Sequence, residues 1–151
     1  MRLAKNLWYP VVESREIRRK PHAARRLGLD LVFWRNATGD VVAQEDRCPH
    51  LGASLSRGTV QDDCLTCPFH GMRFNAQGRC TQVPSMGAAA RIPDALHART
   101  FATREAQGFV WLWWGDQPAS GEVPFFEEIA SDWTWYTTPV EWPVNYTRAI
   151  E

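Results

Sequence analysis

The chain has 151 residues, a mass of 17.2 kDa and 17 basic side chains against 17 acidic ones, so its formal net charge is zero. That length suits one domain, or one with the start of another, and 44% apolar with 23% charged residues is the composition of a folded globule. Zero net charge argues against a general nucleic-acid binder. The longest apolar run, Phe109 to Trp114, falls far short of the roughly 18 residues of a membrane span.

No signal peptide is visible at the N-terminus, so the expected compartment is a reducing cytoplasm, with neither nucleic acid nor membrane as partner. In such a compartment four cysteines read as metal ligands or free thiols before they read as disulfides. Charge is unevenly spread: residues 1–57 hold 11 basic and 6 acidic side chains, residues 105–151 hold 1 and 8.

Along the chain, the first distinctive stretch is basic: Arg15, Arg18, Arg19, Lys20, Arg25 and Arg26, interrupted by Pro21. It reads as a solvated loop or short helix, or as a docking face for an acidic partner. Leu29 to Trp34, the turn Asn36 to Asp40 and Val41 to Gln44 then form a hairpin. A second hairpin joins Arg73–Asn75 to Arg79–Val83 across Ala76–Gly78, and a third joins Thr103–Ala106 to Phe109–Trp114 across Gln107-Gly108. In the last of these, Trp111 and Trp113 alternate with Val110 and Leu112, as a strand buried on both faces requires. Gly115 to Gly121 looks like a boundary or linker. Pro124 to Ser131 suits a turn or two of helix, and Trp133 to Thr138 a final strand. Short strands punctuated by ten Gly and ten Pro imply an all-β protein of small antiparallel sheets.

The chemistry is concentrated in Cys48-Pro-His50-Leu-Gly52 and Cys67-Pro-Phe-His70-Gly71. Each segment offers one thiolate and one imidazole, and two such loops converging imply a metal centre with four protein ligands. Proline after each cysteine stiffens the loop, and glycine lets backbone N–H groups approach sulfur without a Cβ in the way. A tetrahedral zinc accepts two Cys and two His. So does a 2Fe–2S cluster, with two Cys on one iron and two His on the other. Ligand types alone leave both open. Cys64 and Cys80 read as structural thiols, although Cys64-Leu-Thr-Cys67 formally matches a redox pair. Glu127, Glu128 and Asp132 read as solvated surface.

The flanks separate the two metals. Cys48-Pro-His50-Leu-Gly-Ala-Ser-Leu-Ser-Arg-Gly58 followed by Cys67-Pro-Phe-His70-Gly-Met-Arg-Phe74 resembles a Rieske 2Fe–2S domain. The resemblance implies the Rieske fold of small antiparallel sheets with an inserted cluster-binding subdomain. It makes Cys48, Cys67, His50 and His70 the metal and cofactor ligands. Leu7-Trp8-Tyr9-Pro10-Val11, Gly28 to Val32 with Arg35, and Gly108 to Trp111 are similar to the N-terminal part of Rieske non-haem iron oxygenase α subunits. Pro84-Ser85 is similar to that family's third, cluster-shielding loop.

The sequence departs from related patterns at Met72, Ala53, Phe69 and Phe74. Met72 stands where the family often has Trp. Ala53 and Phe69 occupy the positions of the extra cysteines that Rieske proteins of cytochrome complexes join as a disulfide. Met72 and Phe74 replace the Ser and Tyr that donate hydrogen bonds in those proteins, so a low potential is expected.

The resemblance implies a Rieske domain over 1–115, its cluster-binding lobe at about 46–85, and a linker with the start of a catalytic domain over 116–151. That further domain would hold a mononuclear Fe(II) through two His and a carboxylate. The chain ends at Glu151 in a segment similar to the one that leads into those ligands, and His22 and His97 have no partner at metal-ligand spacing. The expected role is therefore a relay of electrons from a ferredoxin or flavin reductase to a mononuclear iron for O2-dependent hydroxylation or demethylation. In the family's homotrimer the receiving iron lies in a neighbouring subunit, and the chain alone has no catalytic residues. The alternative is a stand-alone Rieske ferredoxin or a regulatory Rieske module.

Overall fold

The computed structural model describes residues 3–87, 91–124, 133–134, 136, 138 and 140–144. Among them are eleven strands: β1 (Leu7–Glu13), β2 (His22–Arg26), β3 (Leu29–Arg35), β4 (Val41–Glu45), β5 (Thr59–Gln61), β6 (Cys64–Thr66), β7 (Arg73–Phe74), β8 (Cys80–Gln82), β9 (Thr100–Phe101), β10 (Thr103–Ala106) and β11 (Phe109–Trp114). Three single-turn 3-10 helices, Ser14–Glu16, Leu55–Arg57 and Pro84–Met86, complete the regular structure among the described residues. The strands form three antiparallel sheets, β1-β11-β10, β2-β3-β4-β9 and β5-β6-β7-β8. The third is inserted between β4 and β9, which pair directly through Ala43 with Phe101 and Gln44 with Thr100.

The alternation of β3 and β4 explains the layering. Successive strand residues face opposite sides, and both sides of this hairpin are apolar. Leu31, Phe33, Val41 and Ala43 join Val11, Val12, Val110 and Leu112 in a core shared with the first sheet. Val32, Trp34 and Val42 pack the other way, with Cys48, Leu55, Leu65, Cys67, Met72 and Phe74 of the inserted sheet. Fully burying one such side chain stabilises by roughly 1.5–3 kcal/mol. The central hairpin therefore holds both neighbours.

A third, smaller core consists of Trp8, Trp111 and Trp113. Their faces stay apolar while their indole N–H groups find carbonyls, as buried Trp requires. Trp113 donates to Gln117 O at 2.8 Å and Trp8 to Ser120 O at 3.0 Å. Arg104 Nη1 reaches Gly121 O at 2.6 Å, and Asn6 Oδ1 accepts from the Asp116 and Gln117 backbones. The Gly115–Gly121 stretch is strapped onto the tryptophan face rather than hanging free.

All three expected hairpins are present. The basic run is different from expectation, since its last part is strand β2 and not a loop or helix. Ala23 and Ala24 pair with Val32 and Leu31, and this pairing overrides the polar composition. Trp133, Thr134, Tyr136 and Thr138 form no strand, and the other residues of that stretch lie outside those described. The helix expected at 124–131 also lies outside them, apart from Pro124.

Candidate metal centre

Two loops of the inserted lobe share one backbone plan. In the first, Cys48 N–H donates to Ala53 O at 2.8 Å and Gly52 N–H to Cys48 O at 2.8 Å. In the second, Cys67 N–H donates to Met72 O at 2.8 Å and Gly71 N–H to Cys67 O at 3.1 Å. Each glycine stands four residues after its cysteine with positive φ, 74° at Gly52 and 68° at Gly71. The glycines therefore serve to close the turns in a left-handed conformation. The backbone N–H groups that hydrogen-bond the Cys48 sulfur belong to His50 and Leu51, between the cysteine and Gly52.

Anchors outside the motif hold these loops. Asp46 accepts from Ser56 N–H at 2.7 Å and from Ser56 Oγ at 2.6 Å, which closes the first loop at its base. The second loop joins β6 to β7, and a Cβ added at Gly71 would come within 3.2 Å of Pro84 Cγ. The 84–86 turn is thus packed against it. Neither Asp46 nor Ser56 stood out in the sequence, because short polar residues are common in any loop.

The four expected donors separate into two like pairs. Cys48 and Cys67 are buried in one core, their thiols within hydrogen-bonding reach. Burial pushes the Cys48 thiol up from its ordinary value, the backbone N–H groups of His50 and Leu51 oppose this, and the neighbouring Cys67 adds to it. His50 and His70 are exposed, with ring centroids 5.0 Å apart and planes inclined at 62°. Phe69 lies against His70 at 4.0 Å between centroids. Phe69 is 61% exposed, so it extends an apolar ring to solvent beside His70.

Among the described residues, no three His, Cys, Asp or Glu side chains converge on one point as a single ion requires. A tetrahedral zinc would need all four donors there. Thiol beside thiol and imidazole beside imidazole is instead the donor arrangement of a binuclear centre, with two thiolates on one iron and two imidazoles on the other. The residues present fit that group.

The remaining candidates lie elsewhere. Cys64 Sγ is 3.5 Å from Thr81 Oγ1, and Cys67 faces Cys48, so the formal Cys-x-x-Cys pair is not assembled. Cys80 Sγ lies 3.4 Å from Gln82 O, and burial raises its pKa. All four cysteines are free thiols. His22 is half-buried in β2, and His97 is exposed and bridged through its backbone to Arg79. Glu127, Glu128 and Asp132 lie outside the described residues.

Comparison with known proteins gives a consistent result. The profile of the Rieske [2Fe-2S] domain matches residues 7–102. Aminopyrrolnitrin oxygenase PrnD of Pseudomonas fluorescens is 39% identical over 72% of this chain and 31% of its own length. The putative toluene-4-sulfonate monooxygenase system iron-sulfur subunit TsaM2 of Comamonas testosteroni is 34% identical over 99% of this chain and 43% of its own. The crystal structure of dicamba monooxygenase with non-heme iron and dicamba superposes with a TM-score of 0.73 at 35% identity. It covers 81% of this chain and 37% of that one. The chain thus spans between about a third and two fifths of the relatives it matches.

Proposed function

The chain belongs to the Rieske [2Fe-2S] domain family, and from that premise we propose that it relays single electrons within an oxygenase terminal component. Cys48 and Cys67 would hold one iron of the cluster and His50 and His70 the other. When bound, the cluster supplies a one-electron couple. The observation that carries the reading is the division of the donors, buried thiols on one side and two exposed imidazoles on the other.

The protein's own contribution follows from that division. The apolar core around Cys48 and Cys67 excludes water from the thiolate side. The backbone N–H groups of His50 and Leu51 at the Cys48 sulfur favour its charged form. The exposed imidazoles, with Phe69 beside His70, form the face over which electrons pass to and from partners.

In the parent protein, residues 1–115 would form the Rieske domain, with the cluster lobe near 46–85. Residues 116–151 would lead into a catalytic domain that holds a mononuclear Fe(II). The donor would be a ferredoxin or flavin reductase, the assembly a homotrimer, and the reaction an O2-dependent hydroxylation or demethylation. Relatives described as oxygenases and as a monooxygenase-system iron-sulfur subunit support this over a stand-alone Rieske ferredoxin or regulatory module. Cys64 and Cys80, outside the proposed ligand set, are free thiols, in keeping with a reducing cytoplasm. No helix among the described residues is long and apolar enough to cross a membrane.

Metal and acid-labile sulfide analysis of the purified chain, with electron paramagnetic resonance of its reduced form, tests the cluster reading. Two irons and two sulfides per chain are expected. Stoichiometric zinc without sulfide would overturn it.

A further inference from the structure

Among the described residues, Gln44 is the one polar side chain that is wholly buried, at 0% exposure. It stands on β4 opposite Val32, on the side of the hairpin that faces the inserted lobe. Every other side chain of β3 and β4 in that core, Trp34 excepted for its indole nitrogen, is apolar. A buried amide costs free energy unless both its halves are bonded. Here both are. Trp34 Nε1 donates to Gln44 Oε1 at 3.3 Å, and Gln44 Nε2 donates to Asn75 O at 2.8 Å.

Asn75 is the hub of the β7–β8 turn. Its carbonyl also accepts from Gly78 N–H at 2.9 Å, and its Oδ1 accepts from Gln77 N–H at 3.1 Å and Arg79 N–H at 2.9 Å. Only Arg73 and Phe74 separate Asn75 from Met72, whose carbonyl closes the second cysteine–histidine loop through Cys67 N–H. Phe74 is itself wholly buried in the core that contains Cys48 and Cys67. The path from Gln44 to that loop is therefore three residues of packed strand and turn.

We propose that Gln44 is a positioning residue for the cluster, its amide fixing the register of the Cys67–His70 loop against the β3–β4 hairpin. Apolar contacts between the hairpin and the lobe are non-directional and permit small slides, whereas a hydrogen bond has a preferred distance and angle. Gln44 supplies the buried directional contact of that interface, the bond from Ala37 N–H to Asp63 Oδ1 at 2.7 Å being exposed. The inference rests on the cluster reading above.

The test uses the cluster-loaded chain and three variants. Gln44→Met keeps the shape, breaks the link to Asn75 and leaves the Trp34 N–H without an acceptor. Trp34→Phe with Gln44→Met removes the orphaned donor as well, so stability recovers in part while the link stays broken. Gln44→Glu restores the pattern only while its carboxyl is protonated, since O–H can then donate to Asn75 O and C=O can accept from Trp34.

Three results are expected. Gln44→Met and the double variant both lose iron to a chelator roughly ten-fold faster than wild type while still folded. Both also shift the resonance g-values and reduction potential. Gln44→Glu matches wild type at about pH 5 and Gln44→Met at about pH 8, because burial raises a carboxyl pKa.

Variants that melt earlier but keep wild-type g-values, potential and chelator resistance would overturn the proposal and leave Gln44 purely structural. A wild-type chain without iron and sulfide would overturn the cluster reading, and this inference with it.

Discussion

Arg35 and Glu105 meet fork to fork, Nη1 2.9 Å from Oε2 and Nη2 2.8 Å from Oε1, and so tie β3 of one sheet to β10 of another. The remaining Arg35 contacts go to backbone carbonyls, at Ile17, Ser14 and Gly39. One planar guanidinium thus fastens two sheets, the first 3-10 turn and the β3–β4 turn. Arg35→Lys should lose most of this, because an ammonium cannot reproduce the fork. We expect Arg35→Ala to cost about 3 kcal/mol in chemical denaturation. A loss below about 1 kcal/mol would show that the fork is dispensable.

The same pair sets an acid limit. The hydrogen bond from Arg35 holds the Glu105 carboxyl below its ordinary range, with burial opposing. A depressed folded pKa contributes stability that is present above the unfolded value, near 4.3, and lost as pH falls through the folded one. With the Glu105 side chain 34% exposed, solvent screening limits this to about 1 kcal/mol. Glu105→Gln should therefore lower the melting temperature at neutral pH and have little effect near pH 3, read by melting scans at stepped pH. An equal loss at both pH values would assign the effect to packing.

Ligand exchange tests the imidazoles one at a time. His50→Cys or His70→Cys should keep a cluster but lower its potential, because thiolate brings more negative charge than imidazole. Voltammetry of each variant measures this, and an unchanged potential would remove that histidine from the ligand set.

Four of the six cations of the basic run already have partners, Arg18 through Nε to Arg15 O at 3.4 Å. Arg15 pairs with Glu13, Arg25 with Asp30 at 3.0 Å, and Arg26 donates to Val11 O at 2.6 Å. Arg18, Arg19 and Lys20 remain exposed beside His22. If these three meet an acidic electron donor, reduction should slow with ionic strength as the Debye length shrinks to about 8 Å near 0.15 M. Arg18→Glu with Arg19→Glu should slow it further. A stopped-flow rate indifferent to salt would leave the trio as solvated surface.

Gly58 supports the lobe from below. A Cβ there would collide with the Thr66 carbonyl, beside the Thr59–Thr66 pair at the start of β5 and the end of β6. Gly58→Ala should cost about 2 kcal/mol or more, since a strand has to shift to admit it. Gly28→Ala meets nothing within 4 Å and tests backbone strain alone at φ +79°. Equal melting temperatures for Gly58→Ala and wild type would contradict the crowding.

The chain by itself should form no oxygenated product. The mononuclear iron we propose belongs to the further domain of the parent protein, and the two histidines outside the cysteine–histidine loops, His22 and His97, lie apart on β2 and beside Arg79. The reduced chain, mixed with O2 and aromatic substrates, should return unchanged substrate by chromatography. A hydroxylated product would mean that this chain holds an oxygen-activating centre of its own.

Local chemistry alone showed the three hairpins and the doubly buried strand at 109–114, and it singled out the four donors proposed for the cluster. Cys, His, Gly and Pro at fixed short spacings constrain one loop at a time, and alternation constrains one strand at a time. Contacts between residues distant in sequence required the tertiary structure. The short strands β5, β6 and β9 carry too few residues to show a period, and β2 has a polar composition that pairing with β3 overrides. The strap over Trp8, the fork at Arg35 and the amide at Gln44 join positions 10 to 112 residues apart. Each depends on a partner that no local pattern specifies, because an indole, a guanidinium or an amide N–H donates to any carbonyl or carboxylate the fold brings within reach.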